Sequence, residues 1–404
     1  MTQSQSHPAR LSTGEFVALV AMLFATIAIS IDAMLPAMPQ IEAALTPDAP
    51  NRAQLIIATF VFGMGLGTLV MGPLSDAYGR KPVIMAGAAV YCAAAIACYV
   101  SGSLEVLLVA RFLQGIGAAA PRTVSLAMVR DLYSGRQMAQ VMSYAMMIFT
   151  LVPALAPMLG QAVMWVASWH DIFLVYVIFS LISILWLGLR QPETIHPEDR
   201  KPLSLAAMTA AAKVMLAQRV VLVAILVQAL LLAVIFSTIS SIQGIFERYF
   251  DLGASFPYWF GAIAILSGGG SLLNARIVVK VGMQRVIRAS LAAVLCLTVA
   301  FIGFLLFGTT DWTTVFVLYL IWQLSVFTMM GLTMGNLNAM AMEPLGHIAG
   351  FASSMIASVA TVLSVALSVP VGQAFDGTPL PLVLGVGGFT GGALILTRWL
   401  RKTS

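Results

Sequence analysis

Long apolar runs separated by short polar stretches recur from one end of the chain to the other, and that pattern predicts helices rather than strands. Twelve runs occupy roughly residues 16–40, 53–75, 83–101, 106–129, 138–166, 170–189, 219–246, 257–279, 285–307, 313–341, 348–374 and 380–398. Each holds roughly 20 residues or more, the length at which a helix crosses the ~30 Å hydrocarbon core of a bilayer. The fifth and sixth runs are divided only by Ser168-Trp169-His170-Asp171, and the seventh, tenth and eleventh are long enough to tilt or to extend beyond the bilayer. The longest hydrophilic stretch, Arg190 to about Gln218, lies at the midpoint of the chain. It predicts a six-helix bundle over 1–189, a linker over 190–218 and a second six-helix bundle over 219–404. The segment LSLAAMTAAAKVMLAQR within the linker suits a helix lying at the membrane interface, or an ordinary connector helix.

Composition agrees with a membrane protein. Of 404 residues, 60% are hydrophobic and 9% charged, where soluble domains carry about 25% charged residues. Of the 21 lysines and arginines, Arg111 and Arg122 fall inside runs, Arg52 and Arg248 flank one side, and the other 17, Arg10, Arg401 and Lys402 among them, flank the opposite side. By the positive-inside rule both termini and the linker are cytoplasmic. The formal charge of +5 therefore reports orientation rather than a nucleic-acid partner. Cys92, Cys98 and Cys296 all lie within runs, so no disulfide framework is expected. The polar MTQSQSHPAR stretch precedes a run too long for a signal-peptide core and is read as retained.

The halves echo each other. A shift of 203 residues aligns Gly65 with Gly268, Gly67 with Gly270, Leu69 with Leu272, Gly79 with Gly282 and Val83-Ile84 with Val286-Ile287. A second echo sets Gly160-Gln161-Ala162 against Gly372-Gln373-Ala374. Parallel repeats about an axis along the membrane normal are a build used by secondary transporters.

After the second run the chain reads Gly72-Pro73-Leu74-Ser75-Asp76-Ala77-Tyr78-Gly79-Arg80-Lys81-Pro82. Its glycines let helices approach closely, and Asp76 at a helix end can pair with cations or helix termini at a gate. The fourth run holds Arg111-Phe112-Leu113-Gln114-Gly115-Ile116-Gly117 and ends in Val129-Arg130-Asp131-Leu132-Tyr133, and the first holds Asp32-Ala33-Met34-Leu35-Pro36. The fifth contains PALAPMLGQ, and the eighth contains Asn274-Ala275-Arg276.

Together these motifs resemble the major facilitator superfamily, and within it the bicyclomycin/chloramphenicol-resistance (Bcr/CflA) branch of the drug:proton antiporters. The resemblance covers nearly the whole chain. It implies an all-α polytopic fold of 12 transmembrane helices in two pseudo-symmetric halves, with helices 1, 4, 7 and 10 around the site. It also implies a gating loop of Gly72, Asp76, Gly79, Arg80 and Lys81, and an antiporter motif of Pro153, Pro157 and Gly160. Three positions depart from the pattern: Gln161 replaces a usual glycine, His170 a frequent arginine, and Arg122 an expected apolar residue.

Asp32, Arg111 and Arg122 are the three charged residues well inside runs, each costing about 2.5–3.5 kcal/mol at a helix centre on insertion scales. Asp32 and Arg111 fall at similar depths, so they can pair directly or through water, as a proton-coupling site or as a fixed tie between helices 1 and 4. The resemblance favours the coupling role. Arg111, Gly115, Ala118 and Arg122 share one helical face, with the arginines about 16 Å apart along it. Arg122 can line a groove for substrate, snorkel, or bond carbonyls near Pro121. Two cations against one acid disfavour lipophilic cations as cargo. Gln243, Gln323 and Asn336 are candidates to complete the cavity, or else helix–helix hydrogen bonds.

No phosphate-binding loop, metal-ligand spacing or hydrolase elbow occurs, so no enzyme activity, cofactor or metal is expected. The expected function is a proton-coupled antiporter of the bacterial inner membrane, a monomer exporting small amphiphilic molecules or drugs by alternating access. Its partners are then a small-molecule substrate, protons and the lipid bilayer. Two rival readings are a dedicated transporter of a small organic anion, favoured by Arg122, and a non-transporting receptor of the same fold. Asp32, Arg111 and the Pro157-Gly160 motif weigh against the receptor.

Overall fold

The computed structural model describes residues 11–308 and 311–400, with side chains described for all of these but 207 and 346–349. His7, Arg10, Arg401 and Lys402 lie outside the described residues, as does the side chain of His347. The first half holds α1 (Thr13–Asp32), α2 (Met38–Leu45), α3 (Leu55–Tyr78), α4 (Arg80–Tyr99), α5 (Leu104–Leu132), α6 (Gly135–Val166) and α7 (Asp171–Arg190). The linker forms α8 (Leu205–Ala217), which packs on α9 and α14. The second half holds α9 (Arg219–Arg248), α10 (Phe256–Ser267), α11 (Gly269–Val281), α12 (Met283–Phe307), α13 (Trp312–Met342), α14 (Ala349–Gln373) and α15 (Leu380–Leu396).

All twelve apolar runs form helices of membrane-crossing length. Two of them are broken, where the hydropathy pattern is continuous. The first stops at Asp32, turns through Ala33-Met34 and a 3-10 turn at Leu35–Ala37, and resumes as α2. Pro36 and Pro39 lie at the starts of these two new turns, where the missing amide hydrogen matters least. The eighth breaks at Gly268 into α10 and α11. Side chains fix several helix starts: Ser12 Oγ accepts from the Glu15 amide at 3.2 Å, and Asp311 Oδ2 from the Thr314 amide at 2.8 Å.

Small residues set the packing distances. In the first half α5 is the hub, pressed against α3 and α4. A Cβ at Gly63 would strike the Phe112 carbonyl, one at Gly115 the Phe60 carbonyl, and one at Gly117 the backbone of Gly87 and Tyr91. Helices that come this close gain dispersion contacts that lipid cannot replace.

The internal echo has a structural counterpart at each aligned glycine. Gly67 lies against Ala119 of α5, and Gly270 against Thr328 of α13. Gly65 faces Thr361 and Val362 of α14, and Gly268 faces Thr150 of α6. Gly79 and Gly282 both take left-handed φ, +106° and +90°, at the tight turns α3–α4 and α11–α12. Gly160 packs on the Ala33 backbone at the end of α1, whereas Gly372 meets the Gln54 side chain first, with Ser240 of α9 farther off.

The halves meet along α3 with α14 and α6 with α10. At the face opposite the linker they are tied together. Glu42 pairs with Arg248, Asn51 Nδ2 donates to the carbonyls of Gln373 (3.0 Å) and Phe375 (2.6 Å), and Gln373 Nε2 donates to Asn51 O at 2.7 Å. Toward the linker face a cavity of about 250 Å³ lies between α3, α5, the linker and the start of α14. α5 makes no extensive contact with the second half.

Gly115→Val should destabilise the protein by at least about 2 kcal/mol, because backbone cannot yield as a side chain can. Gly303→Ala, whose added Cβ meets nothing within 4 Å, should be neutral or stabilise by up to about 1 kcal/mol. Unfolding midpoints of the purified variants in detergent check the contrast.

Candidate functional site on the first, fourth, seventh and tenth spans

Arg111 is 0% exposed, a fully buried guanidinium about one quarter of the way along α5. Among the described residues no carboxylate pairs with it. Nη2 donates to Ser30 O of α1 at 3.0 Å, Nε to Ile56 O of α3 at 3.3 Å, and Nη1 to Gln114 Oε1 at 2.7 Å. The Phe60 ring covers the cation, with Cζ 4.3 Å from its centroid. Ser30 Oγ donates to Thr26 O and lies 2.6 Å from the Tyr91 hydroxyl, which therefore donates to it. Gln114 Nε2 and the buried Tyr176 hydroxyl are left without protein partners. One arginine thus binds α1, α3 and its own helix through neutral groups.

Asp32 is the last residue of α1 and 5% exposed. It shares a level with Arg111 as expected, since the guanidinium bonds the carbonyl two residues earlier. The two are nevertheless not an ion pair. Among the described residues the Asp32 carboxylate has neither a hydrogen-bond nor an ion-pair partner. Gly160 of the antiporter motif packs on the Ala33 carbonyl beside it, where any side chain would force α6 away. Pro157 is buried one turn before, and Pro153 is half-buried. Neither proline donates an amide hydrogen, so the α6 ladder is loosened next to the acid.

The second-half candidates are neutral groups, and among the described residues none of them hydrogen-bonds Asp32 or Arg111. Gln243 of α9 is buried with Oε1 unpartnered. Gln323 of α13 donates from Nε2 to the Tyr319 hydroxyl at 2.8 Å and leaves its Oε1 unpartnered. Asn336 is a helix–helix tie: it exchanges hydrogen bonds with Asn274 of α11 at 2.8 and 3.4 Å.

The loop motif is assembled at the linker face. Arg80 bonds Asp76 (2.5 Å), Asp131 (2.9 Å) and Ser75 (2.7 Å), so α3, α4 and α5 end in one charge cluster. Gly79 supplies the turn. Lys81 Nζ donates to the carbonyls of Gly188 and Gln191 at 2.6 and 3.1 Å, and Glu193 caps the start of α4 by accepting from the amides of Arg80 and Lys81. Gly72 lies against Ser354 of α14, the point at which this cluster touches the second half.

Sequence reading named Asp32, Arg111, Gln243, Gln323 and the loop, and it missed Ser30, Tyr91, Gln114 and Tyr176. The i, i+3 spacing of Arg111 and Gln114 was the available signal for one of these. Single hydroxyls within apolar runs carry none.

Two matched six-helix halves, tied at one face and with a cavity between them at the other, match a secondary-transporter architecture. The chain belongs to the Major Facilitator Superfamily, whose profile matches residues 18–369. It is 28% identical over 365 residues to an uncharacterized transporter of that type, YdgK of Bacillus subtilis, covering 88% of this chain and 87% of the relative. It is 29% identical to a bicyclomycin resistance protein homolog of Haemophilus influenzae over 70% of this chain and 71% of that one. The crystal structure of the human organic anion transporter MFSD10 shares the fold, with a TM-score of 0.71 at 17% identity over 97% of this chain and 100% of that one.

Because Arg111 is held by three oxygens in different directions, Arg111→Lys should destabilise the protein by about 2–4 kcal/mol. Asp32→Asn should change stability by less than about 1 kcal/mol, whereas breaking a buried ion pair from either side would cost about 3–5 kcal/mol. Thermal unfolding of both variants separates the two cases.

Proposed function

We propose that this protein is a proton-coupled exporter of small amphiphilic molecules in the bacterial inner membrane, working by alternating access between its two halves. The observation that carries the reading is Asp32. It is a nearly buried acid without a protein partner, set at the broken end of α1, beside the proline-glycine helix that also packs on the second half. An acid tied to Arg111 would be locked in its charged form. An acid free of it can take up a proton from one side and release it to the other.

The units that rock are residues 1–189 and 219–404, with 190–218 as the connector. The linker face is the cytoplasmic one, which the lysine and arginine bias supports. The two basic residues assigned to the other side are each neutralised, Arg52 by Glu105 and Arg248 by Glu42. The present state is thus open toward the cytoplasm, and the Glu42, Asn51, Arg248 and Gln373 ties form the closed outer gate. Both halves lie in one chain, so a monomer suffices. The bicyclomycin-resistance relative supports drug export as the physiological direction.

Asp32→Asn should abolish pH-gradient-driven flux in proteoliposomes, by at least about 100-fold, while leaving ligand binding and folding intact. Gradient-driven flux at the wild-type rate in that variant would overturn the assignment.

A further inference from the structure

Arg122 is the charged residue that neither the fold nor the proton step uses. It follows Pro121 in α5 and is solvent-exposed. Among the described residues its guanidinium has no hydrogen-bond or ion-pair partner. The Ser125 hydroxyl takes the Pro121 and Arg122 carbonyls, which leaves the cation unattached to the backbone near the proline.

Helix geometry fixes where it points. Gly117 and Ala120 face α4, on the outer side of α5, and Gly115 and Ala119 face α3. Arg111 and the buried Ser125 mark the side toward α1. Arg122 is five residues past Gly117 and two past Ala120, about 140° and 200° round. It therefore projects almost opposite α4, between α1 and α3, into the space between the halves. Thr123, Ala127 and Arg130, about 100°, 140° and 80° round the helix from it, line the neighbouring cavity at the linker face, whose lining does not include Arg122.

We infer that Arg122 is an anion-recognising residue of the space between the halves, and that the cargo is a small amphiphile bearing one oxyanionic group, a carboxylate or sulfonate. The inference rests on reading the axial space as a transport cavity. A solvent-exposed guanidinium with no protein partner keeps its donors free, and a planar oxyanion accepts two of them in one plane. A lipophilic cation would instead be repelled.

The test uses two probes with one aromatic frame, 1-anilinonaphthalene-8-sulfonate and the uncharged N-phenyl-1-naphthylamine. Their fluorescence is titrated with full-length protein in lipid nanodiscs, with empty nanodiscs subtracted. Arg122→Leu and Arg122→Gln should weaken binding of the sulfonate about 10-fold or more, and Arg122→Lys by less, because it keeps the charge and loses the fork. Binding of the neutral probe should be unchanged in all three. Equal sulfonate affinity across the variants, or parallel losses for both probes, would overturn the inference. Since Arg122 makes no side-chain bond, unfolding midpoints should match wild type; should the leucine variant fail to fold, the glutamine and lysine variants still decide. Flux into proteoliposomes is read separately. Gradient-driven flux of the neutral probe without Arg122-dependent sulfonate binding overturns this inference and leaves transport standing. Arg122-dependent binding without flux of either probe sustains the site and overturns the transporter reading.

Discussion

The guanidinium of Arg111 decides what the other charged groups in the membrane are free to do. A cation buried to 0% exposure needs acceptors on several sides. Here they are two backbone carbonyls, one amide oxygen and the face of Phe60. Carbonyl dipoles spread over three directions replace the hydration shell without bringing a second ion into the bilayer. The consequence is a division of labour. Arg111 becomes a structural bolt among α1, α3 and α5, Asp32 is left as an acid with no fixed counter-ion, and Arg122 is left as a base with none.

The bolt works only because the helices it joins are already in backbone contact. Gly63 and Gly115 bring α3 and α5 close enough for Arg111 to reach Ile56 O, and Gly160 brings α6 onto the end of α1 beside Asp32. The same device recurs in the second half at Gly268 and Gly270, against the equivalent helices. No arginine recurs with it. The second half presents Gln243, Gln323 and the Asn274–Asn336 pair where the first presents charge. The repeat therefore preserves the packing and divides the chemistry, with ionisable groups on one half and neutral acceptors on the other.

What was legible in the sequence follows the same boundary between packing and direction. Hydropathy is a local property, so the twelve helices, the linker helix and the Gly79–Gly282 echo could be read from the chain alone. The breaks at Ala33 and Gly268 were not read, because hydropathy alone stays high across them, although Pro36, Pro39 and Gly268-Gly269-Gly270 mark them. Depth along a helix was legible too, and it put Asp32 and Arg111 at one level. Azimuth was not. Whether an arginine turns to an acid or to a carbonyl depends on the rotation of neighbouring helices, which spacing within one helix does not encode. Arg111 and Arg122 share a face by periodicity, yet one is sealed between α1 and α3 and the other is exposed to solvent.

That separation bears on how cargo and proton are coupled. Asp32 lies at the level of Arg111, about 16 Å or more from Arg122 along the axis. At an effective dielectric constant of about 20, two unit charges that far apart interact by about 1 kcal/mol. Moving a two-state equilibrium from one state to the other takes about 5.5 kcal/mol of differential binding. Direct attraction or repulsion between an anion on Arg122 and the Asp32 charge is therefore too weak to link their movements. The link has to be the state of the halves themselves, with each site biasing which face is closed. The outer tie of Asn51 to Gln373 and the inner contact of Gly72 with Ser354 lie at opposite ends of the α3–α14 seam, and Glu42–Arg248 joins α2 to α9 at the outer face. A proton at one level and a ligand at the other act on one seam, and that is where their free energies add.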